Sequence, residues 1–273
     1  MEPRERDKRP GLRRYTRNIT KGAMFEECRA LLREWQPGTD PDDFRRQAVE
    51  GNLLGKVTRA RAADVMRRAF MARFFSPEVP QAECARKLLV AGAPEGVMNR
   101  IVFYHTALGD DLLYDFVTER LYDLWRSGRY QVGTADGEAY VERLVSQGPI
   151  PGEWTSCART KVGRGLLTVC REGGLLQGAA KKRFAPVHLP FAVFIYVAYH
   201  LKGKVASSAR VVEHPDWRLF LLNEEAVERS FLDAHQREYL GYYTAGGVKR
   251  IDWRYADLCE AVDALVERAD AGA

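Results

Sequence analysis

The sequence of 273 residues has no CxxC pair among its five cysteines, and the count is odd. That excludes the ligand spacing of a structural zinc site and argues against a disulfide-stapled secreted domain; reduced cysteines in a cytoplasmic protein are the expectation. Glycine (23) and proline (12) are too few for a fibrous or low-complexity chain. Long hydrophobic runs are missing as well. The longest, Leu189 to Tyr199, contains Pro190 and is far shorter than the roughly 20 residues a membrane helix needs. A buried helix is expected there, and no membrane partner. The charged start has no apolar signal-peptide core, so residues 1–14 are expected to form a basic mobile arm.

Catalytic patterns are also absent. The closest approach to a phosphate-binding loop is Gly51-Asn-Leu-Leu-Gly55-Lys56-Val57-Thr58, which has three residues between the glycines where four are required and a valine after the lysine. His105, His188, His200, His214 and His235 show no HExxH or HxxxH spacing, and there is no GxSxG elbow. Paired acids such as Asp110-Asp111 and Glu224-Glu225 fall at helix starts, where carboxylates favour the helix dipole. Nothing in the sequence calls for an enzyme, a metal or a cofactor.

What is present is charge, unevenly distributed. Residues 1–75 have a net charge of +7, residues 76–150 of −4, residues 151–206 of +7 and residues 207–273 of −5. Two basic blocks separated by acidic ones suggest two surfaces for a polyanion, the alternative being that basic and acidic segments pack on each other. Between these blocks apolar residues recur at helical spacing. Helices are expected at about Lys21–Trp35 (capped by Thr20), Pro41–Glu50, Thr58–Phe75 and through Gln81–Val145, with Asp111–Trp125 strongly amphipathic. Further helices are expected at Thr155–Arg171, Pro190–Leu201, Glu224–Leu240 and Tyr255–Arg268, and short strands at Arg210–Val212 and Val248–Ile251. Aromatic residues such as Phe116, Tyr122, Trp125 and Trp217 read as core. The expected fold class is mainly α: two helical domains, 15–147 and 153–273, joined near Gly148-Pro-Ile-Pro-Gly152, with helix-turn-helix or winged-helix-like elements and a few short strands.

The helix expected at Thr155–Arg171 has two unlike faces. At 100° per residue Ala158, Val162, Leu166, Val169 and Cys170 gather on one side, and Thr160, Lys161, Arg164, Thr168 and Arg171 on the other. Cations and hydroxyls without an acid among them suit phosphates and base edges. Gly173-Gly174 ends the helix, Gln177-Gly178 marks a turn, and Lys181, Lys182 and Arg183 follow. A helix followed by a basic hairpin is the layout of a winged helix-turn-helix. The alternative is a solvated helix face with a basic loop. In the first block Lys56, Arg59, Arg61, Arg67 and Arg68 form a second candidate DNA contact, although Asp64 is placed to pair with Arg61 and Arg68. Arg13, Arg14, Tyr15 and Arg17 extend that contact as a flexible arm or are merely disordered.

Several segments together resemble BrxA, a core component of BREX (bacteriophage exclusion) defence systems. They are Tyr15-Thr-Arg-Asn-Ile-Thr-Lys-Gly22, Asn52-Leu-Leu-Gly-Lys56 with Arg59 and Arg61, Tyr104-His-Thr106, and Leu113-Tyr-Asp-Phe116. Trp154-Thr155, Thr160, Gly165-Leu-Leu167, Gly174-Leu-Leu176 and Pro215-Asp-Trp-Arg-Leu-Phe220 complete the ordered set, which spreads over about 14–268. The resemblance implies a mainly helical, non-enzymatic, cytoplasmic protein that binds double-stranded DNA in antiviral defence. Its companions there would include a methyltransferase, an ATPase and a phosphatase-like protein. It implies no catalytic residues, and the basic arm before Arg13 departs from the family's pattern. Two alternatives remain open. One is a scaffold docking other BREX proteins through the acidic segments 76–150 and 207–273; the other is an RNA-binding antitermination factor of the NusB type.

Overall fold

The computed structural model describes residues 15–75, 80–148, 150, 154–179 and 181–270. The basic arm expected at 1–14, including Arg13 and Arg14, lies outside the described residues. A 3-10 turn at Asn18–Lys21 opens the described chain. Helices α1 (Phe25–Glu34) and α2 (Pro41–Glu50) follow. Next come α3 (Arg59–Val65), which continues through a π turn (Met66–Met71) into α4 (Ala72–Phe74), and then α5 (Gln81–Val90) and α6 (Glu95–Gly109). Helices α7 (Asp111–Asp115) and α8 (Tyr122–Arg126) are joined by a second π turn, Phe116–Leu121. Beyond them lie β1 (Gln131–Val132), α9 (Thr134–Ser146), α10 (Ser156–Glu172), β2 (Leu176–Gln177) and β3 (Lys182–Phe184). The last part comprises α11 (Phe191–Lys202), α12 (Ser208–Val212), a 3-10 turn (Pro215–Phe220), α13 (Glu224–Gln236), β4 (Leu240–Ala245), β5 (Val248–Trp253) and α14 (Leu258–Asp270).

The mainly helical fold class holds, with short antiparallel strands only: a three-stranded sheet in the order β1-β3-β2 and a β4-β5 hairpin. Helix boundaries follow local chemistry. Asp40 caps α2, its carboxylate accepting from the backbone of Asp42 and Asp43, with Pro41 at the first helical position. Thr58 caps α3 and Thr155 caps α10 in the same way, as their positions in the sequence indicate. Thr20 does not cap α1; its hydroxyl donates to the Arg17 carbonyl, and α1 begins after Met24, which adopts the left-handed region. Arg210–Val212, expected as a strand, belongs to α12, because the Ser207 side chain caps a helical turn there.

Helix α11 is the apolar run of the sequence, and every residue from Val193 to Leu201 is buried, His200 included. It packs against α6, α13 and α14, so its apolar circumference serves a protein core rather than a lipid one. Among the described residues no helix is long and apolar enough to cross a membrane. One cluster of buried side chains extends from Ile19 to Leu265. The Gly- and Pro-rich segment near 148–152 connects two helices that pack directly on each other. At their crossing a Cβ on Gly137 would lie 2.8 Å from the Gly163 carbonyl oxygen, so both glycines are there to let two backbones meet.

The cysteines require a correction. Cys84 of α5 and Cys259 of α14 form a disulfide across 175 residues, whereas Cys28, Cys157 and Cys170 are not disulfide-bonded. Neither the odd count nor the missing CxxC spacing bears on two cysteines that only the folded chain brings together. Tyr15, considered above as part of a flexible arm, is also tied down: its hydroxyl donates to the Asp115 carboxylate at 2.7 Å. Arg17 stacks 6.0 Å above the Trp154 ring.

Candidate nucleic-acid interface

Helix α10 buries Val162, Gly163, Leu166, Leu167, Val169 and Cys170. Its opposite face lies open along Lys161 and Arg164, which have no ion-pair partner among the described residues, and along the half-buried Thr160, Thr168 and Arg171. The two threonines are occupied. Thr160 donates to the Glu138 carboxylate at 2.8 Å and Thr168 to the Arg164 carbonyl at 2.9 Å. Among the described residues Arg171 has only its neighbour Glu172 as an ion-pair partner, at 3.8 Å. The face that reads as cations and hydroxyls is thus a face of cations.

The basic run after α10 forms the hairpin β2–β3, in which Leu176 pairs with Phe184 and Gln177 with Arg183. Strand β1, from before α9, adds to the outer edge of β3. Lys181 and Arg183 are exposed; Lys182 is half-buried and donates to the Ala179 carbonyl at 3.0 Å. Partial burial and the positive charge of Arg171 lower the pKa of Lys182, so this hairpin cation and the end of α10 sense each other. The Arg183 guanidinium donates to the Tyr130 hydroxyl at 3.1 Å. Tyr130 is 60% exposed and extends the same edge. Sequence reasoning missed it. Its signal was Tyr130-Gln-Val132 between two helices, too short a strand for periodicity to register.

The first basic block is more heavily neutralised. Lys56 pairs with Glu27 at 2.8 Å. Burial alone would raise the Glu27 pKa, but the Lys56 ammonium outweighs it and holds the carboxyl below its usual value. Asp64 is shared by Arg61 at 3.5 Å, Arg67 at 3.1 Å and Arg68. Arg68 also donates to the Asn18 side chain. Arg59 is exposed and has no ion-pair partner among the described residues.

A third group of polar residues is largely internal, with Tyr114 and His214 half-buried. The Asp216 carboxylate accepts from Tyr104 and Tyr114, each at 2.8 Å, and the His214 imidazole lies 3.4 Å away. Burial would raise the Asp216 pKa; these partners outweigh it and keep the group ionised below its usual value. Since Tyr104 donates to Asp216, it accepts from His200 Nδ1 at 2.8 Å, and His200 Nε2 accepts from Gln81 at 2.9 Å. His105 touches Tyr196 through Nε2, while its Nδ1 has no partner among the described residues; burial drives its pKa down to about 3, so the ring is neutral. The segments Tyr104-His-Thr106, Leu113-Tyr-Asp-Phe116 and Pro215–Phe220 supply part of this group, and Gln81 of α5, Tyr196 and His200 of α11 and His214 supply the rest. They form a largely buried hydrogen-bond hub. Among the described residues no group of His, Cys, Asp and Glu is placed to hold a metal.

Comparison with known proteins agrees on the architecture. A crystal structure of an uncharacterized protein from Magnetospirillum magneticum superposes with a TM-score of 0.58 at 19% identity, covering 76% of this chain and 98% of that one. A magnesium ion-bound SspB crystal structure superposes with a TM-score of 0.50 at 15% identity, covering 93% of this chain and 90% of that one. At these identities the likeness is one of fold. No curated protein matches the sequence. The BrxA family model matches residues 13–200, a range that holds α3, α10, the β1–β3 sheet and the tyrosines of the hub. With well over half its length inside that match, the chain belongs to the BrxA family, components of BREX bacteriophage defence.

Proposed function

We propose that the chain is a non-catalytic, double-stranded DNA-binding component of BREX defence, and that it engages the duplex with α10 and the β2–β3 hairpin. One observation supports the reading above all. The element order β1–α9–α10–β2–β3, with the strands arranged β1-β3-β2, is that of a winged helix-turn-helix, and the helix in the recognition position is the one with the open cationic face. Lys161, Arg164 and Arg171 contact the groove and its phosphates, while Lys181, Lys182 and Arg183 hold the flanking backbone. The non-catalytic part of the reading draws support from the burial of His105, His200 and Asp216, which keeps them from any substrate. A cytoplasmic location and contact with other BREX proteins accompany the proposal.

The test is binding of the whole chain to labelled duplex DNA and to RNA across a salt series. Duplex DNA is expected to bind with a steep salt dependence. Arg164→Ala with Arg171→Ala should shallow the log–log slope by about two, one per lost phosphate contact. A preference for RNA would favour the antitermination reading, and no binding to either would favour the scaffold. If the double variant binds as the wild type does at every salt concentration, α10 is a solvated face and the proposal fails.

A further inference from the structure

The flank of α10 away from the hairpin is covered by the opening turn of the chain. At Gly165 a Cβ would lie 2.9 Å from the Ile19 carbonyl oxygen, so the Asn18–Lys21 turn rests directly on the helix. Asn18 in that turn accepts from Arg68. Two turns along the same flank from Gly165 is Glu172, which shares with Arg61 the wall of an open cleft of about 420 Å³. The cationic stripe of α10 therefore has the hairpin on one side. On the other it has the opening turn, then α3 and its π extension bearing Arg59, Arg61, Arg67 and Arg68. Two basic blocks far apart in sequence are neighbouring parts of one surface.

The second block keeps a cationic excess. A single carboxylate, Asp64, faces three guanidinium groups, and Arg59 stands beside them exposed. Three of the four acids of the cleft are themselves engaged, Glu27 by Lys56, Glu95 by Arg29 and Glu172 by Arg171, while the exposed Glu26 has no ion-pair partner among the described residues. Arg61 and Arg67 are well exposed and their pairs with Asp64 are correspondingly weak, so phosphates can compete for these guanidinium groups, whereas Arg68 is half-buried. Lys161 to Arg171 spans about 15 Å of helix, only about four or five base pairs of duplex. We infer that Arg59, Arg61, Arg67 and Arg68 make a second phosphate-backbone contact on the same duplex that α10 engages, one that requires DNA extending past the reach of α10 and the hairpin. This rests on the DNA-binding reading above.

The experiment compares duplexes of about one and about two helical turns across salt, using the full chain. The proteins are the wild type, Arg59→Ala with Arg67→Ala, Asp64→Asn, and the Arg164→Ala with Arg171→Ala variant. Arg67 is 67% exposed in its side chain and Arg59 is exposed, so neither substitution touches the core. On the longer duplex the Arg59/Arg67 variant should lose about two units of salt slope, while on the shorter one it should match the wild type. Asp64→Asn should bind the longer duplex more tightly. An Arg59/Arg67 variant that equals the wild type on both lengths, while the α10 variant is impaired, overturns the second contact and leaves the first standing. Equal loss on both lengths also overturns it, by placing these arginines inside the footprint of α10. Wild-type binding by the α10 variant would instead sink the α10 contact on which this inference rests.

Discussion

Helices α10 and α13 each run almost directly into an antiparallel hairpin, β2–β3 after the first and β4–β5 after the second. Their surfaces differ in how charge is spent. On α13 and its hairpin the cations have acid partners within the same unit: Arg229 with Glu225 at 3.1 Å, Arg237 with Asp233 at 2.9 Å and Arg250 with Asp252 at 2.6 Å. Lys249 is enclosed by Glu213, Glu224 and Glu228, with only 9% of its side chain exposed. Those carboxylates raise the Lys249 pKa, against the opposing effect of burial. On α10 and its hairpin, Lys161, Arg164, Lys181 and Arg183 face no carboxylate among the described residues. A helix followed by a hairpin is an architecture that can present any surface, and the count of unpaired cations distinguishes a candidate DNA contact from a self-neutralised unit.

The comparison can be broken most severely where the two regions are joined. Asp216, in the turn before α13, accepts from tyrosines of α6 and α7 and so ties the second unit to the first half of the chain. Asp216→Ala removes the acceptor of the buried Tyr104 hydroxyl and the half-buried Tyr114 hydroxyl and should cost about 3 kcal/mol, read from the urea midpoint. A midpoint unchanged from the wild type would mean the hub is not a tie at all. Reduction of Cys84–Cys259, or Cys84→Ser with Cys259→Ser, releases α14 from α5 and should cost about 2–4 kcal/mol. Thermal melts with and without reductant measure it, and hydrogen exchange in α14 should rise before exchange in α10 does. The smallest effect sharpens the comparison itself. Arg229→Ala with Arg237→Ala on α13 should leave the salt slope of DNA binding at its wild-type value, in contrast to the paired change on α10. A shallower slope would make the second unit a DNA contact despite its ion pairs.

Much of this molecule is legible locally. The spacing of Val162, Leu166 and Val169 fixes which way α10 turns, Asp40 before Pro41 fixes the start of α2, and Gly173-Gly174 fixes where α10 stops. The candidate site was legible to the same extent: Arg164 and Lys161 stand open, as their angles on the helix require. Thr160 and Thr168 were misleading, because a helical wheel shows direction and not hydrogen bonding, and both hydroxyls are already satisfied. Tyr130 escaped because its strand exists only by pairing with β3.

The sequence alone determined the helical framework, the buried character of Pro190–Leu201 and the cationic stripe with its following hairpin. These depend on contacts three or four residues apart and on caps, and such contacts are present in any short stretch of chain. Only the tertiary structure decided that Cys84 meets Cys259, that Tyr104, Tyr114 and Asp216 share one hub, and that Arg68 reaches the Asn18–Lys21 turn. Those encounters join residues 50 to 175 positions apart. Their spacing follows from how the whole chain closes around α11, which no local pattern encodes.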